Sequence, residues 1–278
     1  MTKTRIIFIG SNSFIAKNVI NELSKFNYNI VKITRKLIDL DKQTSIKKLH
    51  SIIKDGDIIF FAAGIVPVKN NLMLLKNIKM IDNFIKGVDT IKIKHIYYLS
   101  SDAVYSDSMK PLNESSLTKP DNFHGLMHLS REFILKNTFK NTDLTIFRPT
   151  LVFGIDDPHN GYGPNSFYRL AKNSKNIILF GNGEERRDHI FVGDLSKLIS
   201  KCINKNMAGD FNLATGNLYS FMDIAQIIKS KFKLLDILST ERKSLMPHNG
   251  YRAFKINKIN AISNNFKFTT IEKWIKSL

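Results

Sequence analysis

The sequence predicts an α/β fold in which helices cover both faces of a parallel sheet. Short apolar runs such as residues 6–9 and 57–62 show no polar alternation, which is typical of central strands buried on both faces. Segments with helical spacing of apolar residues separate these runs, and this alternation favours βαβ units. The predicted strands are residues 6–9, 30–33, 57–62, 93–99 and 144–147, and the predicted helices are residues 14–26, 72–88 and 123–137.

The pattern becomes less regular after Arg148. A long loop is predicted over residues 154–164, where Gly, Pro, Asp and Asn are frequent. We therefore expect a first domain over residues 1–150 and a small C-terminal lobe over residues 151–278, with residues 175–205 returning to the first domain. The predicted elements of this half are strands 177–180 and 189–192, helices 167–172, 218–231 and 269–277, and a helix beginning after Asp194.

Length and composition suit a globular protein of this class. The chain has 278 residues, 43% of them hydrophobic, and a formal net charge of +18. The basic residues form no block of like charge, so we attribute the excess to composition and an anion-friendly surface rather than to a nucleic-acid site. Cys202 is the only cysteine, which excludes an internal disulfide and fits a reducing compartment. The longest apolar stretch, residues 58–68, is too short for a membrane span, and we predict a cytoplasmic protein.

The first apolar run leads into a turn typical of a dinucleotide site. Gly10 ends the strand, and a helix with apolar periodicity follows from Phe14. Such a turn directs the free N–H groups at the start of the helix, those of Phe14 and Ile15, toward a phosphate. Ser13 stands where a second glycine would bring the backbone closer to the pyrophosphate, and Ala16 is small enough for close packing of helix on strand. These residues predict a Rossmann-type domain that binds NAD or NADP.

The ends of the next two predicted strands supply further residues for this site. Arg35 and Asp39 follow the second strand, where an acidic residue binds the ribose hydroxyls of NAD and an arginine accommodates the 2′-phosphate of NADP. Arg35 favours NADP, although a solvated surface arginine is an equally good interpretation. Ala62 and Ala63 end the following strand with small side chains, which leave room for a flat cofactor.

The chain resembles the extended short-chain dehydrogenase/reductases, the NAD-dependent epimerase/dehydratase family. The matching segments are short but follow one another in the order typical of this family: IGSNSFIA, FFAAG, YYLSSDAVYS, RPTLVFG, NGYGPNSF, ERRDHIFVGDL and FNLATG. The resemblance implies an NAD(P)-dependent enzyme that acts on a nucleotide sugar, and it adds Asn77 to the cofactor site. It also implies a homodimer. The residues that would contribute to its interface, unless they pack in the core, are Leu126, Leu129, Phe133 and Ile134.

The resemblance further implies a catalytic Ser or Thr, a Tyr, and a Lys four residues after the Tyr. In this family the Lys binds the nicotinamide ribose and lowers the pKa of the Tyr, which transfers a proton as hydride moves. Alignment on Val104 and Tyr105 makes Ser101 the catalytic serine, which hydrogen-bonds the reacting oxygen.

The helix that should carry the Tyr and the Lys departs from the family. Gly125 and Glu132 match common family residues, and this register puts His124 at the Tyr position and His128 at the Lys position. In one interpretation His124 is the general acid/base, because imidazole titrates near neutrality, and His128 hydrogen-bonds the ribose. In another the pair holds a metal ion with Glu132 or His159; in a third, nucleotide binding survives without hydride chemistry. We favour the first and predict no metal.

The second lobe should bind the substrate. A nucleotide sugar brings a pyrophosphate, which requires Arg, Lys or backbone N–H groups. The resemblance makes Arg187 the phosphate-binding arginine and Arg252 a second candidate, and an ion pair with Asp188 or Asp194 is the alternative for either. Thr150 stands where many relatives have Asn beside the substrate. Further candidates for the pocket are Tyr162, Asn165 and Phe167.

The predicted function is an NAD(P)-dependent nucleotide-sugar epimerase, dehydratase or reductase. Ser101 would polarise the substrate oxygen, His124 would transfer the proton, and His128 would support the cofactor ribose. A non-catalytic protein that binds a nucleotide sugar or a dinucleotide is the alternative. RNA binding is a minor alternative, which the high net charge keeps open. The sugar, the reaction type and the choice between NAD and NADP stay open.

Overall fold

The computed structural model describes residues 3–233, 235–264 and 266–278. These residues form two compact units, each with its own core. Unit 1 comprises residues 3–106, 116–148 and 199–211, and unit 2 comprises the described residues of 107–115, 149–198 and 212–278.

Strands and helices alternate regularly in unit 1 and less regularly in unit 2. The strands are β1 (Thr4–Ile9), β2 (Tyr28–Ile33), β3 (Ile58–Phe61), β4 (His95–Leu99), β5 (Asp143–Pro149), β6 (Leu151–Phe153), β7 (Ile177–Phe180), β8 (Arg186–Phe191), β9 (Gly209–Leu213), β10 (Leu218–Ser220), β11 (Ile237–Thr240) and β12 (Tyr251–Arg252). The helices are α1 (Phe14–Leu23), α2 (Ser45–Ile52), α3 (Asn71–Val88), α4 (Phe123–Thr138), α5 (Pro164–Lys172), α6 (Val192–Asn204), α7 (Phe221–Lys231), α8 (Asn257–Ser263) and α9 (Ile271–Ser277). Within the described ranges, none of these helices is long and apolar enough to span a bilayer.

A six-stranded sheet forms the centre of unit 1, in the order β2-β1-β3-β4-β5-β9. The neighbouring pairs from β2 through β5 are parallel, which confirms the predicted α/β class. The registers align Ile9 with both Ile33 and Phe61, so the carboxyl ends of β1, β2 and β3 meet at one edge. The strand order reverses at β1, and such a switch point is where open α/β sheets bind ligands.

Helix α2 was absent from the sequence prediction. Its segment carries few apolar residues among lysines, serines and a histidine, which is too weak a pattern to distinguish from a loop. The helix forms because Leu49 packs against α3 at Gly87, where an added Cβ would lie 2.8 Å from the Cβ of Leu49. Tertiary packing therefore stabilises a helix that local sequence barely indicates.

Unit 2 is built around β8, which pairs with β10 in antiparallel and with β6 and β12 in parallel orientation. A separate parallel pair, β7 and β11, completes its sheets. Residues 218–220 were predicted as the start of a helix, but they form β10. Ser220 then caps α7 through a capping box with Asp223, so the helix begins three residues later than predicted.

The division into units differs from the predicted domains in several places. Of residues 175–205, which were predicted to return to the first domain, only 199–205 lie in unit 1. Residues 107–115 belong to unit 2, although they were assigned to the first domain. The cause is a backbone contact, in which Leu112 donates to the carbonyl of Ala253 and accepts from the N–H of Lys255.

Candidate functional site

Gly10 forms the turn between β1 and α1, and two independent constraints require glycine there. Its φ of +84° lies in the left-handed region. An added Cβ would lie 2.7 Å from the backbone N and Cα of Ala63, because the turn passes directly over the end of β3. The N–H groups of Gly10 and Ser11 both donate to the carbonyl of Ile33, which ties the turn to β2. The turn is thus fixed at the switch point of the sheet.

Ser13 caps α1. Its backbone is extended, and its hydroxyl accepts a hydrogen bond from the N–H of Ala16. The first N–H groups of a helix have no intrahelical partner, and this cap satisfies one of them. The N–H groups of Phe14 and Ile15 begin the helix ahead of the capped position, where a phosphate would accept from them.

A cavity of about 210 Å³ lies beside this turn in unit 1. Arg35 and Asp39 form an ion pair in its wall (Nε–Oδ1 3.6 Å), in which the arginine side chain is 70% exposed and the aspartate 26%. The residues predicted for NAD and for NADP therefore both border the cavity. The other lining residues include Gly10, Ser13, Ala62, Ala63, Ile38, Leu40 and Met80.

Asn77, on α3, acts on the loop after β3. Its Oδ1 accepts from the N–H of Ile65 (3.0 Å), and its Nδ2 donates to the carbonyls of Ile65 (3.0 Å) and Met73 (2.8 Å). The side chain is fully buried. Any influence of Asn77 on a cofactor therefore passes through the position of residues 63–65, which line the cavity.

The segment after β4 packs directly on the first turn of α4. A Cβ added to Gly125 would overlap with the carbonyl oxygen of Ala103, so this approach requires glycine. Ser101 precedes a short 3-10 turn (Asp102–Val104), and its Oγ accepts from the N–H of Ala103 (3.2 Å). The Gly125 contact thus holds together the two segments that carry Ser101 and His124.

The rings of His124 and His128 meet edge to face on α4, with centroids 4.8 Å apart. The Nδ1 of His128 lies 2.8 Å from the hydroxyl oxygen of Tyr98 on β4. Burial, His124 and the Arg131 guanidinium all lower the pKa of His128 well below its usual value. His128 is therefore neutral at neutral pH, and it can offer a hydrogen bond but no fixed charge.

Arg131 is the buried cation of this region, and sequence reasoning missed it. Its Nη1 donates to the carbonyl of Ala63 (2.7 Å), and its Nη2 donates to the carbonyl (2.7 Å) and the Oδ1 (3.0 Å) of Asn77. The guanidinium also lies over the ring of Phe61, 5.6 Å from the centroid. Its position one turn after His128 on a predicted helix could have indicated it, because that spacing puts both residues on the same helix face. An arginine that faces the core needs hydrogen-bond partners.

A second buried network holds α4 to the sheet. The Glu132 carboxylate accepts from the Oγ of Ser100 (2.5 Å) and from the Nε (3.0 Å) and Nη2 (2.5 Å) of Arg148. Arg148 also donates to the hydroxyl of Tyr105 (2.8 Å). Glu132 is thus committed to this network, and no group of three His, Cys, Asp or Glu in the described ranges is placed to hold a metal ion. The metal interpretation of the histidine pair finds no third ligand there.

Arg187 and Arg252 lie side by side in unit 2, because they are register partners on β8 and β12. Side chains at paired positions leave the same face of a sheet. Glu185 accepts from the Nε of Arg187 (2.7 Å), whereas Arg252 lies 3.5 Å from the carboxylate of Asp107. Two adjacent arginines are candidate ligands of a diphosphate, because guanidinium groups match phosphate oxygens.

The two carboxylates predicted as alternative partners of these arginines both accept from backbone groups. Asp188 accepts from the backbone N–H groups of Thr215 and Gly216, and so shapes the turn before β10. Asp194 accepts from the N–H of Thr269. Both carboxylates hold the backbone of unit 2.

The remaining candidates of unit 2 hold its structure. The hydroxyl of Thr150 donates to the backbone of β8 (2.9 Å), and the amide of Asn165 binds the loop after β6. Tyr162 and Phe167 pack edge to face with centroids 5.0 Å apart, and Phe167 is 1% exposed. Phe167 is therefore a core residue, which corrects its assignment to a pocket.

Curated proteins related in sequence are enzymes of nucleotide-sugar metabolism by name. One, from Methanocaldococcus jannaschii, is named "Putative UDP-glucose 4-epimerase"; it is 27% identical over 254 residues, which cover 81% of each chain. Another, from Bacillus cytotoxicus, is a UDP-N-acetyl-alpha-D-glucosaminuronate decarboxylase, 23% identical over 80% of this chain and 71% of its own.

Solved structures share the fold over nearly the whole chain. The UDP-glucose 4-epimerase of Thermotoga maritima, solved with UDP-glucose, superposes with a TM-score of 0.85 at 16% identity, covering 98% of this chain and 96% of its own. The UDP-N-acetylglucosamine 4-epimerase of Methanobrevibacter ruminantium M1 gives a TM-score of 0.82 at 20% identity over 99% and 98%. A family model matches residues 6–214. The resemblance inferred from the sequence is thereby confirmed, and the chain belongs to the NAD dependent epimerase/dehydratase family.

Proposed function

We propose that this protein is an NAD(P)-dependent enzyme that acts on a nucleotide sugar as an epimerase, a dehydratase or a reductase. The observation that carries the proposal is the presence in unit 1 of both a cavity beside the Gly10 turn and a histidine pair on α4, the helix on which we expect the catalytic residues. Related proteins named for UDP-sugar chemistry support a nucleotide sugar as the substrate.

The cavity residues fit a dinucleotide. The turn at Gly10 excludes a Cβ, and the N–H groups of Phe14 and Ile15 stand at the start of α1 to bind the pyrophosphate. Arg35 and Asp39 line the same cavity, where they would border the adenosine ribose. When bound, NAD(P) supplies the hydride donor or acceptor.

Three side chains of unit 1 would then act on the substrate and the cofactor at the reacting centre. The Oγ of Ser101 hydrogen-bonds the sugar oxygen that gains or loses hydrogen. His124 takes or gives the proton of that oxygen, because imidazole exchanges protons near neutral pH. His128, neutral and held by Tyr98, donates a hydrogen bond to the nicotinamide ribose.

Arg187 and Arg252 would bind the diphosphate of the substrate in unit 2. Planar guanidinium groups match phosphate oxygens in paired hydrogen bonds. Glu185 would have to share Arg187 with the diphosphate, since it lies 2.7 Å from the Nε. We propose that residues other than Thr150 contact the sugar, because the Thr150 hydroxyl donates to the backbone of β8.

The experiment begins with the purified protein. Nucleotides released by denaturation are identified as NAD or NADP, and the protein is then incubated with UDP-glucose, UDP-N-acetylglucosamine and dTDP-glucose. Products are separated by chromatography, because an epimerase recycles its cofactor and leaves nicotinamide absorbance unchanged. Thermal stabilisation by a nucleotide sugar without any product would instead support the alternative function, a non-catalytic binding protein.

Arg35→Ala is expected to weaken NADP binding by about 10- to 100-fold, the range that follows from losing a hydrogen bond to a charged group. Binding of NAD should change little, because NAD lacks the 2′-phosphate. Lys36→Ala is the matched control, since Lys36 is the exposed neighbour and does not line the cavity. Calorimetric titration with both dinucleotides measures the effect. Equal losses for NAD and NADP would remove Arg35 as the 2′-phosphate ligand.

We further propose a homodimer formed through α3 and α4. Leu72 and Leu75 on α3 are 59% and 63% exposed, and Phe133 and Leu126 on α4 are 66% and 42% exposed. Exposed apolar side chains on two adjacent helices mark a protein contact surface. Ile134, by contrast, packs against the core of unit 1.

Phe133→Glu is therefore expected to convert the dimer into a monomer, because a charge would be buried without a partner. Analytical ultracentrifugation measures the mass of both proteins. Leu245→Glu serves as the control, since Leu245 lies in unit 2 and is 95% exposed. A wild-type monomer, or a Phe133→Glu protein that stays dimeric, would contradict the proposed interface.

A further inference from the structure

The geometry points to Arg242 as a positioning residue of the anion site in unit 2, which takes over the carboxylate of Glu185 when a diphosphate binds Arg187. Glu185 is then a competitor that the protein itself supplies for Arg187. This exchange rests on the proposed function for the identity of its ligand, a nucleoside diphosphate, but it requires no turnover.

Glu185 and Arg187 form a close ion pair in unit 2. The Oε1 of Glu185 lies 2.7 Å from the Nε and 2.6 Å from the Nη2 of Arg187. The side chains are 6% and 10% exposed, respectively. The carboxylate thus occupies two nitrogen atoms that a phosphate would bind as a pair, so a diphosphate can take both of them only if the carboxylate moves.

Arg242, in the segment after β11, is a second arginine at the same carboxylate. Its Nη1 lies 3.5 Å from the Oε2 of Glu185, which is longer than a normal hydrogen bond. Its Nε is buried and has no hydrogen-bond partner among the described residues. A buried donor without an acceptor is unfavourable, so Arg242 gains a hydrogen bond if Glu185 moves toward it.

The position of Arg242 is fixed by the end of β7. Its Nη2 donates to the carbonyl of Phe180 (3.3 Å), and the N–H of Phe180 donates to the hydroxyl of Tyr162 (3.0 Å). The rings of Tyr162 and Phe180 also pack together, with centroids 5.1 Å apart. The guanidinium is thus anchored on β7, and the carboxylate between the two arginines is the group that can change its partner.

The exchange keeps every buried charge paired. A carboxylate displaced from Arg187 without another partner would be a buried, uncompensated charge, which is strongly unfavourable. It would also repel the incoming phosphate. Arg242 removes the first of these costs and reduces the second, because it holds Glu185 away from Arg187. The diphosphate would then be shared by Arg187 and its register partner Arg252.

Calorimetric titration of the full-length protein with UDP tests this exchange. Glu185→Gln removes the competing charge, and we expect UDP to bind about 10-fold more tightly. Arg242→Gln leaves Glu185 on Arg187, and we expect UDP to bind about 10-fold more weakly. Arg242→Lys keeps the charge and should retain most of the wild-type affinity. If Arg242→Gln folds and binds UDP as the wild type does, Arg242 has no positioning role.

Two exposed neighbours provide matched controls. Glu184→Gln and Arg186→Gln remove the same charges from the adjacent positions in the chain, where both side chains are exposed. We expect neither to change the affinity for UDP. Thermal melting monitors folding in every variant, and the comparison of Arg242→Gln with Arg242→Lys tests the exchange even if Glu185→Gln does not fold.

The double variant Glu185→Gln with Arg242→Gln separates a positioning role from a direct contact with phosphate. If Arg242 acts only through Glu185, its replacement has no further effect once the carboxylate is gone, and the double variant binds UDP as tightly as Glu185→Gln. A weaker affinity in the double variant would make Arg242 a direct ligand and overturn the exchange. Unchanged or weaker binding of UDP by folded Glu185→Gln would overturn it as well.

The exchange and the proposed function can fail separately. Binding of UDP requires no turnover, so a protein that converts no nucleotide sugar still reports the competition between Glu185 and the diphosphate. Conversely, an active enzyme whose affinity for UDP does not respond to Glu185→Gln retains the proposed function and loses the role of Arg242.

Discussion

Replacing Arg148 with methionine is expected to lower the free energy of unfolding by about 3–5 kcal/mol, the usual cost of leaving a buried charge without its partner. The side chains of Arg148 and Glu132 are 3% and 2% exposed, and their shortest N–O distance is 2.5 Å. Methionine preserves much of the volume but removes the guanidinium donors to Glu132 and Tyr105. Urea denaturation at pH 7, followed by circular dichroism, measures the loss.

Two further variants serve as controls for this measurement of the free energy of unfolding. Lys136→Ala removes a 45% exposed lysine that pairs with Asp210, and we expect it to cost less than about 1 kcal/mol, as for other surface ion pairs. The double variant Arg148→Met with Glu132→Gln removes both buried charges and should recover most of the loss. If Arg148→Met costs no more than Lys136→Ala, the network does not hold α4 on the sheet.

The strands and main helices of unit 1 could be predicted from sequence because their signals are local. Unbroken apolar runs mark β1 and β3, and Gly10 marks the turn between β1 and α1. Helix α2 escaped prediction because its stability comes from the contact of Leu49 with Gly87, a residue 38 positions away in the chain. Residues 107–115 were misassigned for the same reason, since their backbone pairs with residues near Ala253.

The positions of the candidate site could be predicted from motifs, but the partners of each side chain could not. The sequence predicted that His124 and His128 lie on one helix, as they do on α4. It did not predict the contact of His128 with Tyr98, because Tyr98 lies on strand β4, distant in the sequence. Asn77 shows the same limit, since the resemblance assigned it to the cofactor site but did not predict its hydrogen bonds with the backbone of Ile65. The contacts of Arg131 were not predicted, because apolar periodicity shows which face of a helix a residue lies on but not which group it hydrogen-bonds.

The buried Arg131 determines what a lysine at residue 128, where we expect the family's Lys, would do. His128→Lys would add a second cation to a buried place that already holds Arg131, with no carboxylate among the described residues paired to either. Like charges in low dielectric repel strongly, so such a lysine would be expected to lose its proton. A neutral histidine at residue 128 is thus compatible with the buried Arg131, whereas a lysine is not.

His124→Ala is expected to lower kcat on the nucleotide-sugar substrate by on the order of 10²- to 10⁴-fold, the usual contribution of a positioned general acid/base. The KM for the sugar nucleotide should change little, because the proposed diphosphate ligands, Arg187 and Arg252, belong to unit 2. His159→Ala is the matched control, since His159 is an exposed histidine in the loop before α5. Steady-state rates from product chromatography give both constants.

Chemical rescue of His124→Ala by imidazole tests whether its expected loss of kcat is a loss of proton transfer. Removal of the ring at residue 124 leaves space next to His128, whose own ring is fixed by Tyr98. Added imidazole should therefore restore part of kcat in His124→Ala, and the rescue should follow the fraction of imidazole in the required protonation state. No such rescue is expected for Ser101→Ala, because imidazole cannot replace a hydrogen bond from a fixed hydroxyl. Unchanged turnover in His124→Ala would show that His124 is not the acid/base, and proton transfer would then have to be assigned to another group.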